Sequence, residues 1–174
     1  MDWTQTLFEV IDFRSFSNLW FWIMLAVAWS TASHWVLGVP FDMVLRAKRQ
    51  GGQALQDLED MVRINVNRIL FIARTAGLWL LGSAAFMLTA LLILAFWYGI
   101  ELAQAVVLIA LPMTLVGVMS VATAHRVEAE HPQGEALFRR LTRHRFWTQV
   151  VGVISIFVTA MFGMYQNLVA VYGF

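Results

Sequence analysis

The sequence predicts an all-α polytopic membrane protein, with four transmembrane helices and amphipathic helices at the membrane surface. Three observations carry this. Of the 174 residues, 60% are hydrophobic and 13% charged, where soluble domains carry about 25% charged residues; mean hydropathy is +0.68. Four stretches approach the roughly 20 mostly apolar residues that a bilayer crossing needs. Eleven of the twelve Lys and Arg residues fall in the two longer segments between those stretches.

The first element is residues 4–16, TQTLFEVIDFRSF. Phe8, Ile11 and Phe16 fall near one face, with Val10 and Phe13 beside it, which predicts a short amphipathic helix on the outer surface. No basic segment precedes the first apolar run, so that run is expected to stay in the mature protein. Span one is 19–39, LWFWIMLAVAWSTASHWVLGV, closed by Pro40. The loop 40–75 follows. It carries Arg46, Lys48 and Arg49, then Gly51-Gly52, then a helix over 53–74 in which Leu55, Leu58, Val62 and Ile69 recur at helical spacing. Asp57, Glu59 and Asp60 come early in this helix and Arg63, Arg68 and Arg74 late, an order that suits the helix dipole. The helix can run straight into span two.

Span two is 76–98, and only Gly99, Ile100 and Glu101 separate it from span three, 102–124, which forces an antiparallel hairpin. Pro112 lies near the middle of span three. In the loop 125–146, Gly134 is expected to start a short helix. Its Leu137, Phe138, Leu141 and Phe146 would face the membrane, with Arg139, Arg140, Arg143, His144 and Arg145 toward water or lipid phosphate. Span four is 147–169. The whole chain, 1–174, reads as one membrane domain.

Lys and Arg near span ends favour the cytoplasmic side. Both long loops are therefore expected in the cytoplasm, and both termini outside. The aromatic residues agree. Trp20, Trp22, Trp97, Tyr98 and Tyr165 fall at outer ends, and Trp35, Trp79 and Trp147 at inner ends.

The predicted span cores hold no Asp, Glu, Lys or Arg, whereas ion-coupled transporters usually need an ionisable group there. The chain has no cysteine, which excludes disulfides and thiolate-held zinc or iron–sulphur clusters. No HExxH, GxSxG or Walker loop occurs, so no catalytic residue is assigned. A net charge of +1 gives no field for nucleic acid.

The spans carry small residues at four-residue spacing. Span four has Ser155, Thr159, Gly163 and Asn167; span three has Gly117 and Ser120 in a stripe with Ala110, Thr114 and Ala124; span one has Ser30 between Ala26 and His34. Such ridges let helices approach closely in lipid, within the chain or between chains. Arg46, Lys48 and Arg49, and Arg139, Arg140, Arg143 and Arg145, are candidate contacts for anionic lipid or a partner. His34 sits about 8 Å inside the inner end of span one. It reads as a structural cross-link, a tetrapyrrole ligand near Ser30 and Trp35, or a quinone or headgroup contact. The stretch HRVEAEH, 125–131, is either an ordinary polar exit from a helix or a metal site.

Three functional readings result: a non-enzymatic structural or accessory subunit or homo-oligomer; a small transporter or channel, lined by Thr31, His34, Thr114, Ser155, Thr159 and Gln166; and a cofactor-carrying subunit for tetrapyrrole or quinone. Membrane lipids and a protein partner, or a second copy, are the expected associates.

DFRSFSNLW (12–20), SHWVLGVP (33–40), RQGGQ (49–53) and RINVNR (63–68) resemble the small four-span inner-membrane proteins of alphaproteobacteria labelled as a component of the SufBCD iron–sulphur assembly complex. The resemblance covers essentially the whole chain. It implies four spans and, at most, a membrane dock for that soluble scaffold through the first cytoplasmic loop. It brings no catalytic residues.

Overall fold

The computed structural model describes Phe16 and residues 18–172. The expected amphipathic helix over 4–16 lies outside the described residues except for Phe16. The order is α1 (Leu19–His34), a two-stranded hairpin β1 (Trp35–Val36) and β2 (Val39–Pro40), α2 (Phe41–Gln50), α3 (Gly52–Leu92) extended by a π-helical turn (Ile93–Trp97), α4 (Glu101–Glu130) and α5 (Gly134–Tyr172). Among the described residues the protein is therefore all-helical apart from the hairpin. Among the described residues, three segments are long and apolar enough to cross a membrane: Gly52–Trp97, Glu101–Glu130 and Gly134–Val169.

The sequence predicts one helix over 19–39, but α1 ends at His34. Leu37 and Gly38 both take positive φ, 51° and 75°, the pair a tight hairpin turn requires. Trp35 then pairs with Pro40 and Val36 with Val39. A Cβ on Gly38 would also lie 2.9 Å from the Asn65 side-chain oxygen on α3, so that side chain would have to shift to admit one. Apolar residues that read as the end of a span are instead the tip of a packed turn.

That turn anchors the main core, at the basic end of the molecule. Val36, Leu37 and Val39 pack with Val44 and Ala47 of α2, Leu58, Val62, Val66 and Leu70 of α3, Val127 of α4, and Leu137, Phe138 and Leu141 of α5. The expectation that Leu137, Phe138 and Leu141 face the membrane is thus corrected: they are 1%, 7% and 0% exposed. Phe146 alone of that set is exposed. Two longer segments between spans offer enough apolar surface to cover one another, and each fully buried Leu contributes about 1.5–3 kcal/mol where water is the alternative. Polar contacts lock this cap. Glu59 accepts from the Gly134 N–H at 2.9 Å, capping α5 from α3, and Arg74 pairs with Glu128 at 2.6 Å, tying α3 to α4.

α3 runs unbroken from the cap into its apolar half, as the sequence allows. α5 does the same: the short helix expected at Gly134 continues without a break. The main interhelical contacts run from α3 to α4, α4 to α5 and α5 to α1, so the helices form an open row. α4 contains Pro112, which has no N–H for the carbonyl four residues back. That carbonyl, Leu108 O, accepts instead from the Ser155 hydroxyl of α5 at 3.3 Å.

At the opposite end, the π-helical turn leaves Ala95 O to be met by the buried Gln104 side chain, which donates at 2.9 Å. Gln104 in turn accepts from Gln166 Nε2 at 2.6 Å. Phe16, 2% exposed, donates its N–H to Glu101 at 2.9 Å, and its carbonyl accepts from Trp22 Nε1 at 3.1 Å.

Candidate functional site

One face of α5 organises everything packed on it. Thr148, Gly152, Ser155, Thr159 and Gly163 recur at spacings of three and four, and all are buried. A Cβ on Gly152 would lie 2.8 Å from the Trp29 ring, and one on Gly163 would lie 3.2 Å from the Phe16 ring. α1 therefore lies antiparallel along α5, with Phe16 at one end and Trp29 further along. Asn167 is half-buried at the far end of the stripe. By contrast, Gly117 is exposed with no atom within 4 Å of an added Cβ, and Ser30 is exposed. Neither packs against a helix among the described residues. Thr159 Oγ1 and Trp29 Nε1 are buried with no hydrogen-bond partner among the described residues.

The stripe begins at His144, which is 6% exposed and was expected to face water. Its Nδ1 lies 3.1 Å from Thr123 Oγ1 and its Nε2 3.3 Å from Ser120 Oγ. Each hydroxyl also donates to the carbonyl four residues back, Thr123 to Met119 O and Ser120 to Val116 O, both at 2.8 Å. A hydroxyl has one hydrogen. A neutral imidazole therefore donates to one hydroxyl and sets its lone pair against the other. Full satisfaction needs either that hydroxyl to turn from its carbonyl or the ring to take a second proton.

Beside His144 is a cavity of about 370 Å³ lined by Thr123 and Arg126 of α4 and by Arg140, Arg143 and Trp147 of α5. Arg140 pairs with Glu130. Arg126 and Arg143 are exposed, and neither makes an ion pair or hydrogen bond among the described residues. The other candidate cations divide. Arg145 is committed internally, correcting its expected place against lipid: its Nε donates to Ser33 O at 3.1 Å and its guanidinium lies 3.9 Å from the Phe41 ring centre. Arg139, Arg46, Lys48 and Arg49 are exposed, the last three on α2.

His34 is exposed, its ring edge-on to Trp35 with centres 5.9 Å apart, at the junction of α1 and the hairpin. Three of the six polar residues that could line a path are committed elsewhere: Thr114 donates to Ala110 O, Ser155 to Leu108 O and Gln166 to Gln104. In the 125–131 stretch, Glu128 and Glu130 are taken by Arg74 and Arg140, and His125 and His131 are exposed. No grouping of three or more metal-ligating side chains occurs among the described residues.

Sequence reasoning missed Arg126, Gln104 and the burial of His144. The small-residue stripe of span four, continued back about three turns from Ser155 through Gly152 and Thr148, reaches His144, which is the signal that could have found it. Gln104 was legible as an amide just inside an otherwise apolar stretch. The chain matches no family model, is similar to no curated protein and matches no solved structure.

Proposed function

We propose that the protein is a non-enzymatic, four-span protein of the bacterial inner membrane that acts as a structural or accessory subunit of a membrane assembly or as a homo-oligomer. Both termini lie in the periplasm, and the cap of α2, the hairpin and the basic ends of α3, α4 and α5 lies in the cytoplasm. Support for the fourth crossing comes from α1. Its 16 residues rise only about 24 Å, but it runs along α5 from Gly163, through Gly152, to the Ser33–Arg145 contact. It therefore covers most of the apolar length of α5. Support for the orientation comes from the cap, which holds eleven of the twelve basic residues.

The observation that carries the assembly reading is the open row of helices. In the most apolar stretch of α3 only 6% is buried, against 11% in α4 and 28% in α5. Trp79, Leu78 and Phe86 on α3 are 82%, 84% and 72% exposed. Beyond the cap, α3 packs chiefly on α4 and leaves a long free face, which lipid or a second helix must cover. The small-residue stripe of α5 is used within the chain, against α1 at Gly152 and Gly163 and against α4 at Ser155, so the least covered surface left for association is that of α3. Native membranes extracted in mild detergent and sized by light scattering test this. A particle of at least two chains, or one carrying a reproducible partner, supports the reading. A strictly monomeric particle with no partner defeats it. Ion or solute flux in proteoliposomes, or a visible absorption band in the purified protein, would instead favour the transporter or cofactor-carrying reading.

A further inference from the structure

The basic cavity does not stand alone. A second cavity of about 300 Å³ lies between the same two helices, lined by apolar side chains including Leu108, Leu111, Leu115, Ile154 and Val158. The two share one line on each helix. On α4 the lining positions step 126, 122–123, 119, then 115, 111–112, 108. On α5 they step 140, 143–144, 147, then 151, 154–155, 158. Spacings of three and four keep to one helix face, so the basin and the groove are two parts of a single α4–α5 crevice. Its mouth holds the uncompensated Arg126 and Arg143, and Trp147 sits where the polar part gives way to the apolar part.

We infer that this crevice is a binding site for one anionic phospholipid, the phosphate held by Arg126 and Arg143 and an acyl chain lying in the Leu108–Val158 groove. Charge and length both select this ligand. Arg140 is neutralised by Glu130, but Arg126 and Arg143 have no anion among the described residues, and a guanidinium fork matches phosphate oxygens. A free phosphate would use the basin and leave the groove idle. From Arg126 to Pro112, α4 rises about 21 Å, and one leaflet together with its headgroup region is about 20–22 Å deep. A chain hung from a phosphate at the basin therefore ends near Pro112. Basic pockets between spans on the cytoplasmic side are known to hold such headgroups. The inference rests on α4 and α5 crossing the bilayer and on nothing about assembly; a monomeric particle would sink the assembly reading and leave this one standing.

The test is native mass spectrometry of the full chain, delipidated in detergent and titrated with dioleoyl phosphatidylglycerol, dioleoyl phosphatidylcholine or inorganic phosphate. Phosphatidylglycerol should bind as one tight adduct per chain, and phosphatidylcholine more weakly. Arg126→Gln with Arg143→Gln should weaken the phosphatidylglycerol adduct about thirtyfold, each cation near an anionic headgroup being worth about fivefold. Leu111→Trp, which fills the groove at a side chain 49% exposed and alters no charge, should weaken it severalfold. Arg63→Gln with Arg68→Gln removes the same charge from exposed positions on α3, outside the crevice, and should leave the adduct unchanged. If the Arg126/Arg143 double variant fails to fold, Arg126→Gln alone should still show about fivefold. Equal binding of the two lipids, or an equal loss in the Arg63/Arg68 variant, overturns the site. Displacement by inorganic phosphate with no effect of Leu111→Trp overturns the lipid as its ligand.

Discussion

Ser155→Ala is the substitution whose cost depends most on a residue in another helix. Pro112 has no N–H, so Leu108 O lacks its intrahelical donor, and Ser155 Oγ supplies one from α5 at 3.3 Å. Ser155 is 7% exposed, and its surroundings are apolar, so water is not at hand to replace it. Hydrogen bonds between membrane helices average about 0.6 kcal/mol and reach about 1.7. An orphaned buried carbonyl pushes toward the upper part of that range, so Ser155→Ala should cost about 1 kcal/mol in the native chain. In a Pro112→Ala background residue 112 regains its N–H, Leu108 O regains its helical bond, and the same change should cost about 0.3 kcal/mol by the same reckoning. The assay is equilibrium unfolding in mixed micelles by titration with dodecyl sulfate, read by far-UV circular dichroism on all four members of the cycle. An equal cost of Ser155→Ala in both backgrounds would refute the pairing of Ser155 with the proline gap.

Three further outcomes follow from the same packing. Gln104→Leu should destabilise by about 1–3 kcal/mol, since it orphans Ala95 O and releases Gln166, and with Gln166→Leu the two losses should be less than additive. Gly152→Val should cost about 1–3 kcal/mol by overpacking against Trp29, while Gly117→Val, with open space around it, should stay within about 0.5 kcal/mol; the same unfolding titration separates them. Arg145→Ala should cost about 1–2 kcal/mol through the lost Ser33 carbonyl bond and the Phe41 contact. Arg139→Ala, at an exposed position, should be close to neutral in a thermal melt.

The helical class, the tight turn at Gly99–Glu101 and the long helix entering the second apolar segment were legible because hydropathy and helical periodicity act locally. The end of α1 was not. Trp35–Val39 is apolar in sequence, and nothing local says that Leu37 and Gly38 will reverse the chain and bury Val36 and Val39 against α3 and α5. The basic segment after Gly134 was misread for a related reason. A helix with one apolar and one charged face suits a membrane surface or a protein core equally, and only the presence of α2, the hairpin and α3 decides for the core. The site lay in the same blind spot. Pro112 and Ser155 stood out separately in sequence, one as a helix irregularity and one as a small residue. Their connection through Leu108 O is tertiary, as is the meeting of His144 with Ser120 and Thr123. The small-residue spacing of α5 carried real positional information, but it could not name α1 as the helix that uses it.

The chain has no native cysteine, so single cysteines report its topology cleanly. Asn18→Cys, Ile100→Cys, Gln50→Cys and Gln133→Cys, each at an exposed position, can be probed in intact cells with a membrane-impermeant maleimide and again after lysis. Four spans with the cap in the cytoplasm predict labelling of positions 18 and 100 in intact cells, and of 50 and 133 only after lysis. Position 18 protected together with 133 would mean that α1 does not cross the membrane, and would contradict the four-span arrangement.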